Sequence, residues 1–369
     1  MTGAPRYSYT WQGDGEAKRN GDSMRYRLLG RSGLRVSELC LGTATFGAGR
    51  SDEVRRAESA RIFEAFAEAG GNFVDTSNRY GRGTSEEYVG EFVASDRERF
   101  VLTTKYTLTT RGEDPNASGN HRKSLVQALD ASLKRLRTDY VDLYLVHAWD
   151  FTIPVEELMR ALDDAVRAGK VLHVGISNAP AWVISRANTL AELRGWTPFV
   201  NMQVEYSLIQ REPERELLPM ARDLGVGVTA YSPLGAGWLA GERGADPGER
   251  PPEGASRLSR VGTEADERNA RIAAEARRLA EEVGRPVSHV ALGWIRQRKD
   301  GIIPIVGAQN AHQIEENLAC LDLRLSAKQL EGLDEVSKID PGYPHDLLAR
   351  EDTRERVYGD LRDRLDLSP

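Results

Sequence analysis

Four ionisable side chains occur at equivalent places in the sequence, each at or just behind the end of a short apolar segment. They are Asp75, Tyr80, Lys105 and His147. The carboxyl ends of parallel strands meet at one mouth of a barrel, so the four side chains would converge there. A carboxylate, a phenol, an ammonium and an imidazole that meet in one place are suited to proton transfer.

The proposed chemistry follows from the surroundings of Lys105, which comes directly after an apolar run. A lysine inside a barrel needs a carboxylate partner, and Asp75 would end the neighbouring strand. An ammonium held in this way lowers the pKa of a nearby phenol from its reference of about 10, so Tyr80 would donate a proton to a developing alkoxide. His147 would hydrogen-bond the same carbonyl oxygen. Taken singly, these residues equally fit a structural ion pair and a core histidine; their coincidence at adjacent strand ends favours catalysis.

The segments that would position these side chains alternate between strand and helix patterns. Eight short runs, rich in apolar and β-branched residues, predict parallel strands covered on both faces, with helical patterns between them. This alternation predicts an α/β fold, a closed (β/α)8 TIM barrel rather than an open sheet, preceded by a β-hairpin over Met24–Val36. The predicted strands are Leu39–Gly42, Phe73–Asp75, Phe100–Lys105, Tyr140–His147, Val171–Ser177, Phe199–Val204, Val226–Ser232 and Ile302–Val306.

The chain of 369 residues is predicted to form one domain. Residues 1–23 are polar and lack a period, so we expect a disordered tail. Residues 24–340 would form the barrel, and residues 341–369 a C-terminal tail or loop near its mouth. The long insertion Leu234–Gly262 follows the seventh strand and is dense in Gly, Pro and Arg. It would overhang the mouth as a lid.

The composition excludes several classes of protein. A net charge of −6 with interspersed signs argues against a nucleic-acid partner. No apolar run approaches the ~18 residues of a membrane span, and the N-terminus lacks the apolar region of a secretory signal. Cys40 and Cys320 fit buried free thiols, which points to the cytoplasm. The six histidines and two cysteines show no metal-ligand spacing, so no metal is expected.

The stretch Gly235–Ala240 matches the GxGxxA fingerprint of dinucleotide-binding sheets. A glycine-rich, proline-containing segment follows it where that fingerprint requires a helix. We therefore interpret the stretch as part of a flexible lid.

Several motifs resemble those of the aldo-keto reductase family, over about Met24 to Ser337. They are Phe73–Thr76 with Tyr80-Gly81 and Ser85-Glu86, Leu102–Lys105, Leu143–His147, and Gly169-Lys170 leading to Gly175–Asn178. The resemblance implies Asp75, Tyr80, Lys105 and His147 as a catalytic tetrad with Tyr80 as general acid. It also implies direct hydride transfer between a nicotinamide cofactor and a small-molecule aldehyde or ketone.

The resemblance assigns a set of cofactor-binding residues as well. Ser177, Asn178 and Gln203 would hydrogen-bond the nicotinamide carboxamide, and Tyr231 would stack on the ring. Ser232, Leu234, Gly235 and Gly237 would line the pyrophosphate. The adenosine stretch would comprise Gly307, Gln309, Gln313, Glu316 and Asn317.

The sequence departs from the family pattern at two positions that concern cofactor choice. Many relatives have arginine where Gln309 stands and lysine where Glu242 stands, and both cations hold the 2′-phosphate of NADP(H). Arg243, Arg257 or Arg260 on the insertion would be the substitutes. The resemblance favours NADP(H), and NAD(H) stays an alternative.

Four aromatic residues in loops would form a collar around the substrate: Phe46, Tyr106, Trp149 and Trp238. Such a collar fits a medium-sized carbonyl compound. Two other classes of function share the fold. One is a regulatory cofactor-binding subunit of the channel β-subunit type, and the other is a Schiff-base aldolase that uses Lys105 as nucleophile.

Overall fold

The computed structural model of the protein describes residues 24–47, 52–240 and 263–365. The predicted tail 1–23 lies outside the described residues, and so do residues 241–262, which hold most of the predicted lid together with Glu242, Arg243, Arg257 and Arg260.

Eight parallel strands close into a barrel in the order β10-β3-β4-β5-β6-β7-β8-β9, and an antiparallel hairpin of β1 and β2 precedes them. The predicted (β/α)8 TIM barrel with an N-terminal hairpin is therefore confirmed. The strands are β1 Tyr26–Leu28, β2 Arg35–Ser37, β3 Cys40–Gly42, β4 Phe73–Asp75, β5 Val101–Tyr106, β6 Val141–Val146, β7 Val171–Ser177, β8 Phe199–Glu205, β9 Gly227–Tyr231 and β10 Ile303–Val306.

Helices join successive strands and cover the outside of the barrel. They are α1 Asp52–Glu68, α2 Thr84–Val93, α3 Arg122–Leu136, α4 Val155–Arg167, α5 Ala181–Arg194, α6 Leu217–Leu224, α7 Thr263–Val283, α8 Val287–Arg296, α9 Ala311–Leu318, α10 Ala327–Ser337, α11 His345–Ala349 and α12 Glu351–Tyr358. α6 begins after Pro213, which lies in a separate 3-10 turn, Glu212–Glu214.

Strand β5 shows how the barrel sorts its side chains. Successive residues of a strand point to opposite faces. Val101 belongs to the small apolar cluster inside the barrel, and Leu102 belongs to the large cluster between the strands and the helices. By the same alternation Lys105 points into the barrel and Tyr106 points toward the helices. This arrangement places a charged side chain in an otherwise apolar interior.

The hairpin covers the end of the barrel at which the strands begin. Leu29 and Val36 are fully buried in the interior cluster. The turn residue Gly30 has φ +57°, and a Cβ atom there would lie 2.5 Å from the backbone nitrogen of Gly227. Only glycine allows this approach. The barrel is therefore closed at this end, and the opposite end is the open mouth.

The C-terminal segment differs from the tail or loop predicted for residues 341–369, because it contains α11 and α12. His345 at the start of α11 contacts Glu216, with 3.0 Å between Nε2 and Oε1, in the connection that follows β8. No helix among the described residues is long and apolar enough to span a membrane.

Candidate active site

Lys105 is the centre of the candidate site. Its Nζ donates to Oδ2 of Asp75 at 2.6 Å, to the carbonyl oxygen of Thr76 at 2.8 Å and to the hydroxyl of Tyr80 at 3.2 Å. The Lys105 side chain is 0% exposed and that of Asp75 is 4% exposed. The strands bring these groups together because β4 and β5 pair in register, with Asp75 opposite Thr103.

The charge of Lys105 is stabilised by its partners. Burial alone lowers the pKa of this ammonium, but the negative charge of Asp75, the phenol of Tyr80 and the hydrogen bonds to both outweigh burial, so the pKa lies above its ordinary value. Lys105 is therefore a permanent cation at neutral pH. It lies 4.7 Å from the ring centroid of Tyr80, within the range of a cation–π contact.

His147 lies beside the Tyr80 ring. The two ring centroids are 6.0 Å apart with an interplanar angle of 87°. Nδ1 of His147 is 3.2 Å from the Ser77 hydroxyl, which fixes the orientation of the imidazole. The side-chain amide of Asn178 donates to the His147 carbonyl at 2.8 Å. The structure therefore brings together all four residues that the sequence pointed to.

The loop that carries Tyr80 is held by Ser85, a residue whose role the sequence did not reveal. The fully buried hydroxyl of Ser85 lies 2.7 Å from that of Thr43 and 2.8 Å from that of Thr76, and it also donates to the Thr43 carbonyl. These contacts join the ends of β3 and β4 to the first turn of α2. Tyr80 lies between the joined segments, in the 3-10 turn Tyr80–Gly83.

A second group of polar side chains lies at the ends of β7, β8 and β9. Nε2 of Gln203 donates to Oδ1 of Asp75 at 2.8 Å, so both carboxylate oxygens of Asp75 are hydrogen-bonded. Oδ1 of Asn178 accepts from the hydroxyl of Tyr231 at 2.9 Å, and its Nδ2 also donates to Ser177. Burial and the negative charge of Glu205 raise the pKa of Tyr231, so its phenol stays neutral.

Two of the residues at the mouth have unusual backbone conformations. Asn178 has φ +49° and Ser232 has φ +51°. Non-glycine residues with such angles cluster at functional sites. After Ser232 and Leu234, Gly235–Gly237 form a 3-10 turn rather than the start of an α-helix. The described part of this stretch thus lacks the helix that the dinucleotide fingerprint requires.

The predicted adenosine stretch surrounds the start of α9. The backbone nitrogen of Gln309 donates to the side chain of Gln313 at 2.8 Å, and the Asn317 amide donates to the carbonyl of Gly307 at 3.3 Å. Glu316 faces the other way, toward α8, where its Oε1 accepts from Ser288. Gly307, Gln309, Gln313 and Asn317 are therefore the members that lie together.

Comparisons with known proteins agree with this geometry. The model of the aldo/keto reductase family matches residues 38–338. The chain belongs to the aldo/keto reductase family.

The chain is similar over most of its length to several named relatives. It is 36% identical over 334 residues to a norsolorinic acid reductase of Aspergillus flavus, covering 88% of this chain and 84% of the relative. It is 36% identical over 339 residues to an aldo-keto reductase of Emericella nidulans, with coverage of 88% and 84%. It is 33% identical over 337 residues to a putative aryl-alcohol dehydrogenase of Saccharomyces cerevisiae, with coverage of 88% and 89%.

Membership of this family establishes the general class of activity. Aldo/keto reductases are enzymes that act on small-molecule carbonyl compounds, and the family generally uses nicotinamide cofactors. The chain is therefore an oxidoreductase.

The predicted aromatic collar of this aldo/keto reductase needs correction at two positions. Tyr106 is 0% exposed and stacks on Tyr144, with ring centroids 5.3 Å apart, because a residue next to inward-pointing Lys105 must point outward. Phe46 is 1% exposed and its ring packs against Phe92 of α2. Neither side chain has surface left for a substrate. Trp149 is mostly buried and Trp238 is half-buried.

An aromatic residue that the sequence analysis did not select lies next to Trp149. Phe151 is 67% exposed and has φ +60°, a strained backbone conformation for a bulky residue. Its ring meets that of Trp149 edge-on, with centroids 6.2 Å apart. Both residues follow β6, four residues or fewer after His147. An aromatic residue two positions after Trp149 was the signal available in the sequence.

Proposed function

We propose that this protein reduces an aldehyde or ketone to an alcohol by direct hydride transfer from NAD(P)H, with Tyr80 as the general acid. The observation that carries the proposal is the position of Lys105 Nζ, which joins a carboxylate oxygen of Asp75 to the hydroxyl of Tyr80. This arrangement lies at the mouth formed by the carboxyl ends of the strands, where barrels of this kind hold their catalytic groups.

Each of the four residues has a distinct part in the reaction. Tyr80 gives its proton to the carbonyl oxygen as that oxygen becomes an alkoxide. Lys105 stabilises the phenolate that Tyr80 leaves behind, and Asp75 keeps Lys105 charged. His147, whose ring is held by Ser77, hydrogen-bonds the carbonyl oxygen and orients it toward Tyr80.

The residues at the ends of β7, β8 and β9 fit a nicotinamide cofactor. Amide and hydroxyl groups of Ser177, Asn178 and Gln203 offer the donors and acceptors that a carboxamide needs, and Tyr231 adds a half-buried ring. When bound, the cofactor supplies the hydride. Ser232, Leu234, Gly235 and Gly237 would line its pyrophosphate.

We propose NADP(H) as the cofactor on the strength of the family resemblance, with NAD(H) as the alternative. One feature near Gln309 favours NAD(H). Oε1 of Glu58 accepts a hydrogen bond of 2.7 Å from the backbone nitrogen of Ala311, in the first turn of α9. This carboxylate already satisfies a donor of the helix N-terminus, and it would repel a 2′-phosphate bound beside Gln309.

The substrate class we propose is aromatic aldehydes and ketones. The Trp149–Phe151 pair offers ring surface near His147. The buried Nε1–H of Trp149 has no hydrogen-bond partner among the described residues, so it can donate to an oxygen of the substrate. The names of the relatives agree, since they include aryl-alcohol dehydrogenases and norsolorinic acid reductases. The buried free thiols Cys40 and Cys320 suggest a cytoplasmic location.

The two alternative functions make different demands. A Schiff-base aldolase needs a neutral amine, whereas the raised pKa of Lys105 keeps it protonated. A regulatory subunit of the channel β-subunit type would bind the cofactor without turnover of substrate.

The proposal is tested by titrating the protein with NADPH and NADH by fluorescence and then assaying aromatic and aliphatic aldehydes. We expect saturable cofactor binding and faster turnover of the aromatic aldehydes. Cofactor binding without any turnover would support the regulatory alternative. Trapping of a substrate adduct on Lys105 by borohydride would support the aldolase.

A further inference from the structure

The closed end of the barrel carries an open cavity of about 500 Å³. Its walls are β1 with the turn that follows it, the end of α6 with the segment that leads into β9, and the segment that leads into β10. All of these precede strands of the barrel, so the cavity, here called the basal cavity, lies at the opposite end from Tyr80. Neither the catalytic residues nor the proposed cofactor residues contribute to its lining.

The charged side chains that line the basal cavity are mostly cationic: Arg25, Arg27, Arg31, Arg222 and Asp300. The carboxylate of Asp300 is engaged by Arg222, through Nε at 3.0 Å and Nη2 at 2.5 Å. The other three guanidinium groups form no ion pair or side-chain hydrogen bond with any residue that the structure describes. The cavity therefore has a clear excess of positive charge.

Arg27 is the lining cation best suited to bind an anion, because it is half-buried and forms no ion pair with a residue that the structure describes. The nearby acid, Glu38, is already paired with Arg296 at 2.9 Å and accepts from the backbone nitrogen of Arg25 at 3.2 Å. Burial together with the cations Arg296 and Arg25 lowers the pKa of Arg27, against the opposite effect of Glu38. Partial burial of a charge that forms no ion pair is unfavourable, and a bound anion would offset that cost.

Glycines in two loops bring the arginine heads close to the backbone. The Arg31 guanidinium lies directly against Gly225, where any side chain would collide with it. A Cβ atom at Gly301 would lie 3.6 Å from Nη1 of Arg27. The Arg31 side chain thus lies against the segment before β9, and the Arg27 guanidinium lies near the segment before β10.

We propose that the basal cavity binds a phosphorylated small molecule, whose phosphate or diphosphate group is held by Arg25, Arg27 and Arg31. The planar guanidinium fork matches the oxygens of a phosphate group, and several such forks suit an anion with more than one negative charge. The volume falls in the range of about 300–1,000 Å³ that is typical of small-molecule sites. Exposed parts of Tyr26 and Leu28 line the same cavity and would contact the organic part of the ligand.

The probe for this proposal is inorganic pyrophosphate, titrated into the full-length protein by isothermal calorimetry with and without saturating NADPH. We expect saturable binding of one pyrophosphate in both cases, and weaker binding of inorganic phosphate. Sodium chloride at matched ionic strength serves as the control for general screening. Pyrophosphate binding that disappears when NADPH is present but persists in the Arg27→Gln/Arg31→Gln double variant would assign pyrophosphate to the mouth and overturn the proposal.

Variants locate the site. The double substitution Arg27→Gln with Arg31→Gln should weaken pyrophosphate binding at least about tenfold, since each charged hydrogen bond contributes substantially. Arg194→Gln, at an exposed arginine that ends α5 away from the cavity, should leave binding unchanged. Asp300→Asn removes the acid among the lining residues and should tighten binding. Equal affinity in wild type and double variant, or no saturable binding in wild type, would overturn the proposal.

Failure of this proposal is distinct from failure of the proposed reductase function. Turnover of aldehydes depends on residues at the mouth, and pyrophosphate binding depends on residues at the closed end. Circular dichroism of the double variant shows whether it is folded. If the double variant is not folded, the titration of Asp300→Asn with pyrophosphate tests the proposal instead. Unchanged or weaker binding in that variant contradicts the proposal.

Discussion

The behaviour of the candidate site depends first on one side chain, Lys105. A fully buried ammonium between a carboxylate and a phenol can be kept only if its charge is satisfied, and three hydrogen bonds do so. The contacts that stabilise the buried charge of Lys105 include the one that holds the hydroxyl of Tyr80. Stability and the proposed function therefore depend on the same atoms.

We expect Lys105→Met to lower the free energy of unfolding by about 3–5 kcal/mol, because it leaves Asp75 buried without its counter-ion. Lys170→Met is the matched control, since the Lys170–Asp130 pair is 44% exposed on both sides and contributes about 0–1 kcal/mol. Urea denaturation measures both. A loss in Lys105→Met no larger than in Lys170→Met would show that the buried pair is not stabilising.

The raised pKa of Lys105 also sets a pH dependence. Its stabilising effect is fully present below the ordinary pKa of 10.5 and is lost as the pH rises through the higher value of the folded protein. The difference in unfolding free energy between wild type and Lys105→Met should therefore be flat at neutral pH and shrink above pH 10.5. A difference that shrinks near neutral pH would contradict the direction of the shift.

We propose that cofactor choice depends on Gln309, just before α9, and on Glu58 of α1, which contacts the first turn of α9. Because Glu58 repels a 2′-phosphate and Gln309 cannot attract it, Gln309→Arg combined with Glu58→Gln should raise the NADPH/NADH ratio of kcat/KM by about tenfold or more. Gln313→Glu adds a negative charge on α9, where Gln309→Arg adds a positive charge just before it, and should therefore lower that ratio. Steady-state kinetics with both cofactors measure it. A flat ratio across these variants would mean that this helix does not contact the phosphate.

Among the secondary-structure elements, the junction of β3, β4 and α2 positions Tyr80, the proposed general acid. Ser85 has three close contacts there and no access to solvent. We expect Ser85→Ala to lower the unfolding free energy by about 1–3 kcal/mol and to lower kcat through a misplaced Tyr80. Ser326→Ala, which removes the cap of α10, should cost about 1 kcal/mol with unchanged kcat. Equal kcat in the two variants would limit Ser85 to a structural role.

At the same scale, the strands were predictable and several helices were not. Covered parallel strands must be apolar on both faces, so β5 to β10 are visible in the sequence as short runs. α9 has only eight residues, and α12 is highly charged, so neither shows a long helical period. The residue at which α6 begins, after Pro213, depends on the path of the chain after β8. No local sequence pattern predicts that path.

For the molecule as a whole, closure of the barrel is what converts scattered residues into a site. Asp75 and Lys105 were predictable as partners because adjacent parallel strands end at one mouth. The bond from Gln203 to Asp75 was not, because it crosses the barrel between residues 128 positions apart. The outward direction of Tyr106 follows from the inward direction of Lys105, and the period of two in a strand was sufficient to predict it. The hydroxyl cluster around Ser85 depends on how α2 docks, which only the tertiary structure shows.

The central claim is that Tyr80 protonates the substrate, and the most direct measurement is the turnover of an aromatic aldehyde by Tyr80→Phe. We expect kcat/KM to fall by about 10²–10⁴ while the cofactor dissociation constant stays within a few-fold. Tyr140→Phe, which changes a tyrosine just before the start of β6 and far from the mouth, should leave both values unchanged. Turnover by Tyr80→Phe at the wild-type rate would contradict the account.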